Sequence, residues 1–161
     1  MNPLVDRMFR HMAWANNYVF DRLAELSDDQ LRLCAPNDDW TAAEILEHLT
    51  AARYADLLDG LGDVETTVPT NSSQVKQLKE LSTGFDARLR AAAHEVNGFV
   101  EFQRDDRTIR RSRQTILAQA IHHADEHRVQ IAGIYASHGL KIIDLDEIDL
   151  WAFANYEGLG D

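Results

Sequence analysis

Seven histidines stand out for the chemistry they can do: His11, His48, His94, His122, His123, His127 and His138. His123 and His127 are four residues apart. In a helix each residue turns about 100° around the axis, so this pair shares one side while His122 points elsewhere. Two imidazoles at that spacing can converge on one cation. Around them Ile116, Ala120, Ala124, Ile131, Ile134 and Tyr135 define an apolar face, and the pair sits at its edge. His48 flanks a second apolar stripe, near Ile45 and Ala52, and reaches the pair if the two helices pack side by side. Three neutral imidazoles suit Zn, Ni, Fe or Cu better than Mg or Ca. Three protein ligands leave coordination positions open, as catalytic rather than closed structural sites do. The same spacing also suits a surface pair or hydrogen-bonded core histidines. His11, His94, His122 and His138 read most simply as solvated or packing residues.

Two other metal patterns fail. A metalloprotease helix needs Glu directly after the first histidine, and here Ala124 follows His123. A di-iron bundle needs Glu three residues before a histidine, and no histidine of this chain has one.

The elements that must position these residues are helical. Residues 4–26 contain no Pro or Gly, and Val5, Met8, Phe9, Met12, Val19, Leu23 and Leu26 recur at helical spacing. A short helix opens at Ser27 and runs to about Cys34, and residues 35–39 form a turn. Thr41 followed by Glu44 has capping-box form and opens a second long helix over about 41–59, which Gly60 and Gly62 end. A polar linker, 61–71, precedes a third long helix over about 72–97, with Val75, Leu78, Phe85, Leu89, Ala92 and Val96 as its seam. Phe99 to Ile109 fits a small hairpin or an irregular loop. A fourth long helix covers about 112–138. The tail, 140–161, is too apolar to be free and is expected to pack on the rest. Four long amphipathic helices predict an all-α four-helix bundle with a short extra helix and a packed tail, residues 1–161 forming one domain.

Other residues offer two readings each. Asn16 lies within the apolar stripe of the first helix, where a buried amide needs partners. It either contacts a ligand or metal-bound water, or bonds between helices. Arg104, Arg107, Arg110, Arg111 and Arg113 reverse the local charge. They either form salt bridges on a solvated loop or hold an anionic group. Arg128 pairs with a nearby carboxylate. Trp14 and Tyr18 suggest a subunit interface or a contact with the tail. Cys34 reads as a small buried hydrophobe. Glu44 and Glu126 point away from the histidines, and no catalytic base is assigned.

Composition bounds the partners. The chain has 161 residues, with 16 basic against 27 acidic, for a net charge of −11. Such a chain repels phosphate backbones and anionic lipid, so neither nucleic acid nor a membrane surface is an expected partner. One cysteine excludes an intramolecular disulfide. No leader pattern opens the sequence and no apolar run reaches the ~20 residues of a membrane span. A soluble protein of a reducing cytoplasm is the expectation.

Three segments together resemble the DinB-like (damage-inducible) family, also described as YfiT-like metal-dependent hydrolases. They are Met12-Ala13-Trp14-Ala15-Asn16, the run Trp40 to Leu49 containing Thr41-Ala42-Ala43-Glu44 and His48, and His123-Ala124-Asp125-Glu126-His127-Arg128-Val129-Gln130-Ile131. The tail around Asp149-Leu150-Trp151-Ala152-Phe153-Ala154 is similar too. The resemblance covers essentially the whole chain. It implies a four-helix bundle and a divalent transition metal on His48, His123 and His127. Zn or Ni comes first, then Fe or Mn. It also implies hydrolysis, or transfer of a low-molecular-weight thiol to a small electrophile, and a homodimer. A non-enzymatic stress protein binding metal or ligand is the alternative. The resemblance transfers no substrate.

Overall fold

The computed structural model describes residues 2–36, 39–61 and 64–160. Helix α1 (Pro3–Leu23) starts where Asn2 accepts from the Leu4 amide at 2.8 Å and Pro3 fills the first turn. Its buried stripe is Phe9, Met12, Ala15, Val19, Phe20 and Leu23. Full burial of each large apolar side chain contributes about 1.5–3 kcal/mol. The short α2 (Asp28–Leu31) follows, capped reciprocally by Ser27 and Gln30. Of the expected turn over 35–39, Asn37 and Asp38 lie outside the described residues, as does Gly62 farther on.

The expected helix over 41–59 is two helices, α3 (Ala42–Leu49) and α4 (Ala52–Asp59). The physical reason is Ala51, whose φ of 53° is left-handed and ends the α3 hydrogen-bond ladder. The capping box is present as expected. The Thr41 amide donates to Glu44 at 2.7 Å, and the Glu44 amide donates to the Thr41 hydroxyl at 3.2 Å. Helix α5 (Ser72–Ala92) stops short of the expected residue 97, because the chain turns at Gly98 (φ 99°) into a hairpin.

That hairpin is regular: β1 (Phe99–Arg104) pairs antiparallel with β2 (Arg107–Ser112), Phe102 opposite Ile109. Asp105 and Asp106 both take positive φ, as a two-residue hairpin turn requires. The molecule is therefore mostly helical with a small two-stranded sheet, which corrects the all-α expectation. The physical reason is that Val100, Phe102 and Ile109 alternate at the period of a strand.

Helix α6 (Arg113–Ser137) carries the histidine pair. Helices α1, α5 and α6 pack together with α3 and α4 around one hydrophobic cluster. A 3₁₀ turn (Leu145–Glu147) and α7 (Leu150–Tyr156) fold back onto α1. The tail is packed, as its apolar content predicts. Among the described residues no helix is long and apolar enough to cross a membrane.

Candidate metal centre

The packing of α3 on α6 decides the site. It brings His48, near the end of α3, to the His123/His127 pair. One ring nitrogen from each of the three lies within 4.8 Å of the others, and this group could hold a metal ion. The ring centroids of His48 are 4.8 Å from His123 and 4.9 Å from His127.

Hydrogen bonds set the tautomers. His127 Nδ1–H donates to the side-chain oxygen of Gln130, which leaves Nε2 with its lone pair. That lone pair faces His123 Nε2 at 3.0 Å. His123 Nδ1 is buried and has no hydrogen-bond partner among the described residues. Protein groups alone thus leave one His123 nitrogen unsatisfied, whichever nitrogen holds the proton. His48, His123 and His127 would each offer one ring nitrogen to a bound cation. The donor set, with no carboxylate in it, fits a borderline transition metal.

The electrostatics agree. Burial, followed by the charges of His127 and His48, pushes His123 down to about 3. Burial and then the charge of His127 also lower His48. Both rings are neutral, as metal ligation needs. Two aromatic rings flank them: Trp40 meets His48 edge-on at 5.2 Å, and Tyr54 meets His123 at 5.1 Å. A cavity of about 780 Å³ opens beside His48 and His123. Its walls include Ala51–Tyr54, Asp56 and Leu57, the stretch 64–66, and Phe102, Gln103 and Arg104 from the hairpin.

The sequence profile of the DinB family matches residues 1–152. The chain belongs to the DinB family. Comparison with curated proteins and with solved structures finds no match to either. Within this DinB-family chain, the remaining sequence candidates sort by contact. Glu44 is held in its cap, and Glu126 faces His122 at 3.5 Å, so neither serves the histidines. His11 and His138 bond to the backbone carbonyls of Ile148 and Cys34. Cys34 is only half-buried, because its backbone is tied by a bridge to Thr41 at the edge of the α3 start. Trp14 and Tyr18 do not form a free face. Trp14 packs against Phe153 and Tyr156 of α7, and the Tyr18 hydroxyl donates to Glu147. Covering by the tail accounts for both aromatics.

Asn16 is structural. Its oxygen accepts from Arg128 at 2.7 Å, and its amide reaches both oxygens of Asp86 at 3.4 Å. Arg128 also pairs with Asp125, as expected. Asp86 was not singled out in the sequence, although it falls between Ser82 and Leu89 at helical spacing, inside the α5 seam. Tyr54 was missed as well, and Trp40 and Gln130 were read only as members of the family-like runs. Gln130 follows His127 by three residues, which places it on the same side of the helix.

Two expected results follow here. Gln130→Ala should weaken metal binding about 10- to 100-fold, since it releases the ring orientation of His127. Competition with a chromogenic chelator measures this. The second concerns Asp86, whose carboxyl is pushed up to about 7 by burial, against the pull of Asn16 and Arg128. Its folded value lies above its ordinary 3.8, so the folded state binds more protons between these values and stability falls as pH rises through that window. Asp86→Asn removes this dependence. Its stability relative to wild type should therefore improve from pH 4 to pH 8, read as the difference in Tm. A pH-independent difference would show that Asp86 titrates normally.

Proposed function

We propose that this protein is a metal-dependent enzyme acting on a small electrophilic molecule, with a divalent ion, Zn or Ni before Fe or Mn, on His48, His123 and His127. The single observation that carries the reading is the convergence of three imidazoles, two of which line an open cavity. When bound, a divalent ion on three neutral ligands supplies Lewis acidity and makes a nucleophile of water or a thiol near neutral pH. The chain's own residues do the rest. Gln130 holds His127 in the ligating tautomer. Trp40 and Tyr54 fix the outer faces of His48 and His123. Hydrolysis and transfer of a low-molecular-weight thiol are the two reactions this arrangement serves.

A non-enzymatic binding role is the second reading. It is favoured by the engagement of Glu44, Glu126 and Glu47 elsewhere, the last accepting from the Thr66 hydroxyl. Metal analysis followed by turnover of esters and electrophiles, with and without several thiols, separates the readings. Turnover that requires the metal supports the first. Metal uptake with no turnover favours the second.

A cytoplasmic homodimer belongs to the same proposal. The face available for self-association is an apolar groove of about 980 Å³ between α1 and α6, lined by Met8, Leu117, Ile121 and Val129. Sedimentation equilibrium that reads a monomer at all concentrations would remove it.

A further inference from the structure

The cavity beside the histidines is lined by two arginines that the metal reading leaves unexplained, Arg53 on α4 and Arg104 at the hairpin tip. Most arginines of this chain are paired with acids: Arg7 and Arg10 with Glu157, Arg22 with Glu147, Arg88 with Asp59, Arg90 with Asp6, Arg128 with Asp125. That is expected where acids outnumber bases 27 to 16. Arg53 has no ion pair or hydrogen bond among the described residues. The carboxylate nearest Arg104 is its chain neighbour Asp105, at 3.6 Å with both side chains largely in solvent. Such a pair is weak and yields readily to a better partner.

Three acids line the same cavity among the described residues. Glu47 accepts from Thr66, and Asp56 feels the charge of Arg88 but keeps one buried oxygen without a hydrogen-bond partner. Glu65 is exposed. Neutral imidazoles cancel none of a bound cation's charge. Leu57, Val64 and Phe102 supply apolar wall to the same cavity. The five-arginine run of the sequence thus divides. Arg104 enters the cavity, Arg110 pairs with Glu101, and Arg113 bonds to the carbonyls of Glu95 and Leu58.

We propose that this cavity takes a small molecule with a carboxylate or phosphate on a short apolar body, its anionic group held by Arg53 and Arg104. The part of this proposal that places the molecule's other end at the histidines rests on the metal reading above. Guanidinium groups suit either anion, because both present paired oxygens to a planar fork.

The test titrates Co²⁺-loaded protein with succinate, with its neutral diamide succinamide, and with inorganic phosphate, by calorimetry and by the visible Co²⁺ spectrum. Succinate should bind and succinamide should not. Arg53→Gln and Arg104→Gln should each weaken succinate about tenfold, a loss of one charge-assisted contact. Arg107→Gln, on the same hairpin outside the cavity, should leave it unchanged. Phosphate binding in place of succinate, lost in the same two variants, supports the site and assigns it to phosphate. Equal binding of succinate and succinamide, or wild-type affinity in both arginine variants, overturns the proposal. Co²⁺ uptake with no anion bound overturns it and leaves the metal reading standing. If Co²⁺ is not taken up, the metal reading falls, and the anion site is read in the metal-free protein. There, succinate or phosphate heat that Arg104→Gln removes supports it, and no heat overturns it.

Discussion

His127→Ala should lose about 100-fold or more in affinity for Zn²⁺ or Ni²⁺, while His122→Ala binds as wild type. His127 contributes one of three converging nitrogens, and its ring is already held in the ligating tautomer by Gln130. Removing a ligand costs more than removing such an outer partner, which itself costs about 10- to 100-fold. His122 is one residue from His123 but faces Glu126 in solvent, so it controls for general loss of histidine. The effect also appears in stability. Metal at about 1,000 times its Kd adds about 4 kcal/mol to the folded state, read as a rise in Tm. In His127→Ala that rise should vanish at the same metal concentration. Unchanged metal uptake in this variant would remove the three-histidine site altogether.

Arg128→Met should destabilise the protein by about 1–3 kcal/mol, the range for leaving a buried polar group without its hydrogen-bond partner. Arg128 is 4% exposed and joins Asn16 of α1 to Asp125 of its own helix, with Asp86 of α5 beyond. Methionine fills much of the volume but leaves the Asn16 oxygen without its donor and Asp86 without a nearby positive charge. The loss should be smaller at pH 5 than at pH 8, because a protonated Asp86 no longer needs that charge. Urea unfolding at the two pH values measures both claims. A loss under about 1 kcal/mol would show that the network does not join the helices. Because Arg128 follows His127 directly, the same variant tests whether a polar anchor holds the histidine side of α6 in register. In that case metal affinity falls along with stability.

Much of the site was legible before any coordinates. The i, i+4 pair follows from helix geometry alone, and α6 covers residues close to those its periodicity predicted. The Thr41–Glu44 cap was legible for the same reason, since both partners are local. Ala51 was not. Nothing in the residue type announces a left-handed alanine, and the break it makes is a consequence of packing. Asp86 was hidden by its own spacing, because a carboxylate in an apolar seam makes sense only once Asn16 and Arg128 arrive from other helices. For Trp14 and Tyr18 helix geometry alone left an interface and a tail contact both open, since the tail that covers them is remote in sequence.

Local interactions make α1, α6, the Thr41–Glu44 cap and the pairing of His123 with His127 legible in the residue order, because each depends on partners within a few residues. The excess of acid over base is legible there too. Long-range packing sets the rest: that His48 meets the pair, that the tail covers the aromatics of α1, and that Arg53 and Arg104 line one cavity with His48 and His123. Those are contacts between distant segments, and their geometry is set by how side chains fill a shared core rather than by any local preference.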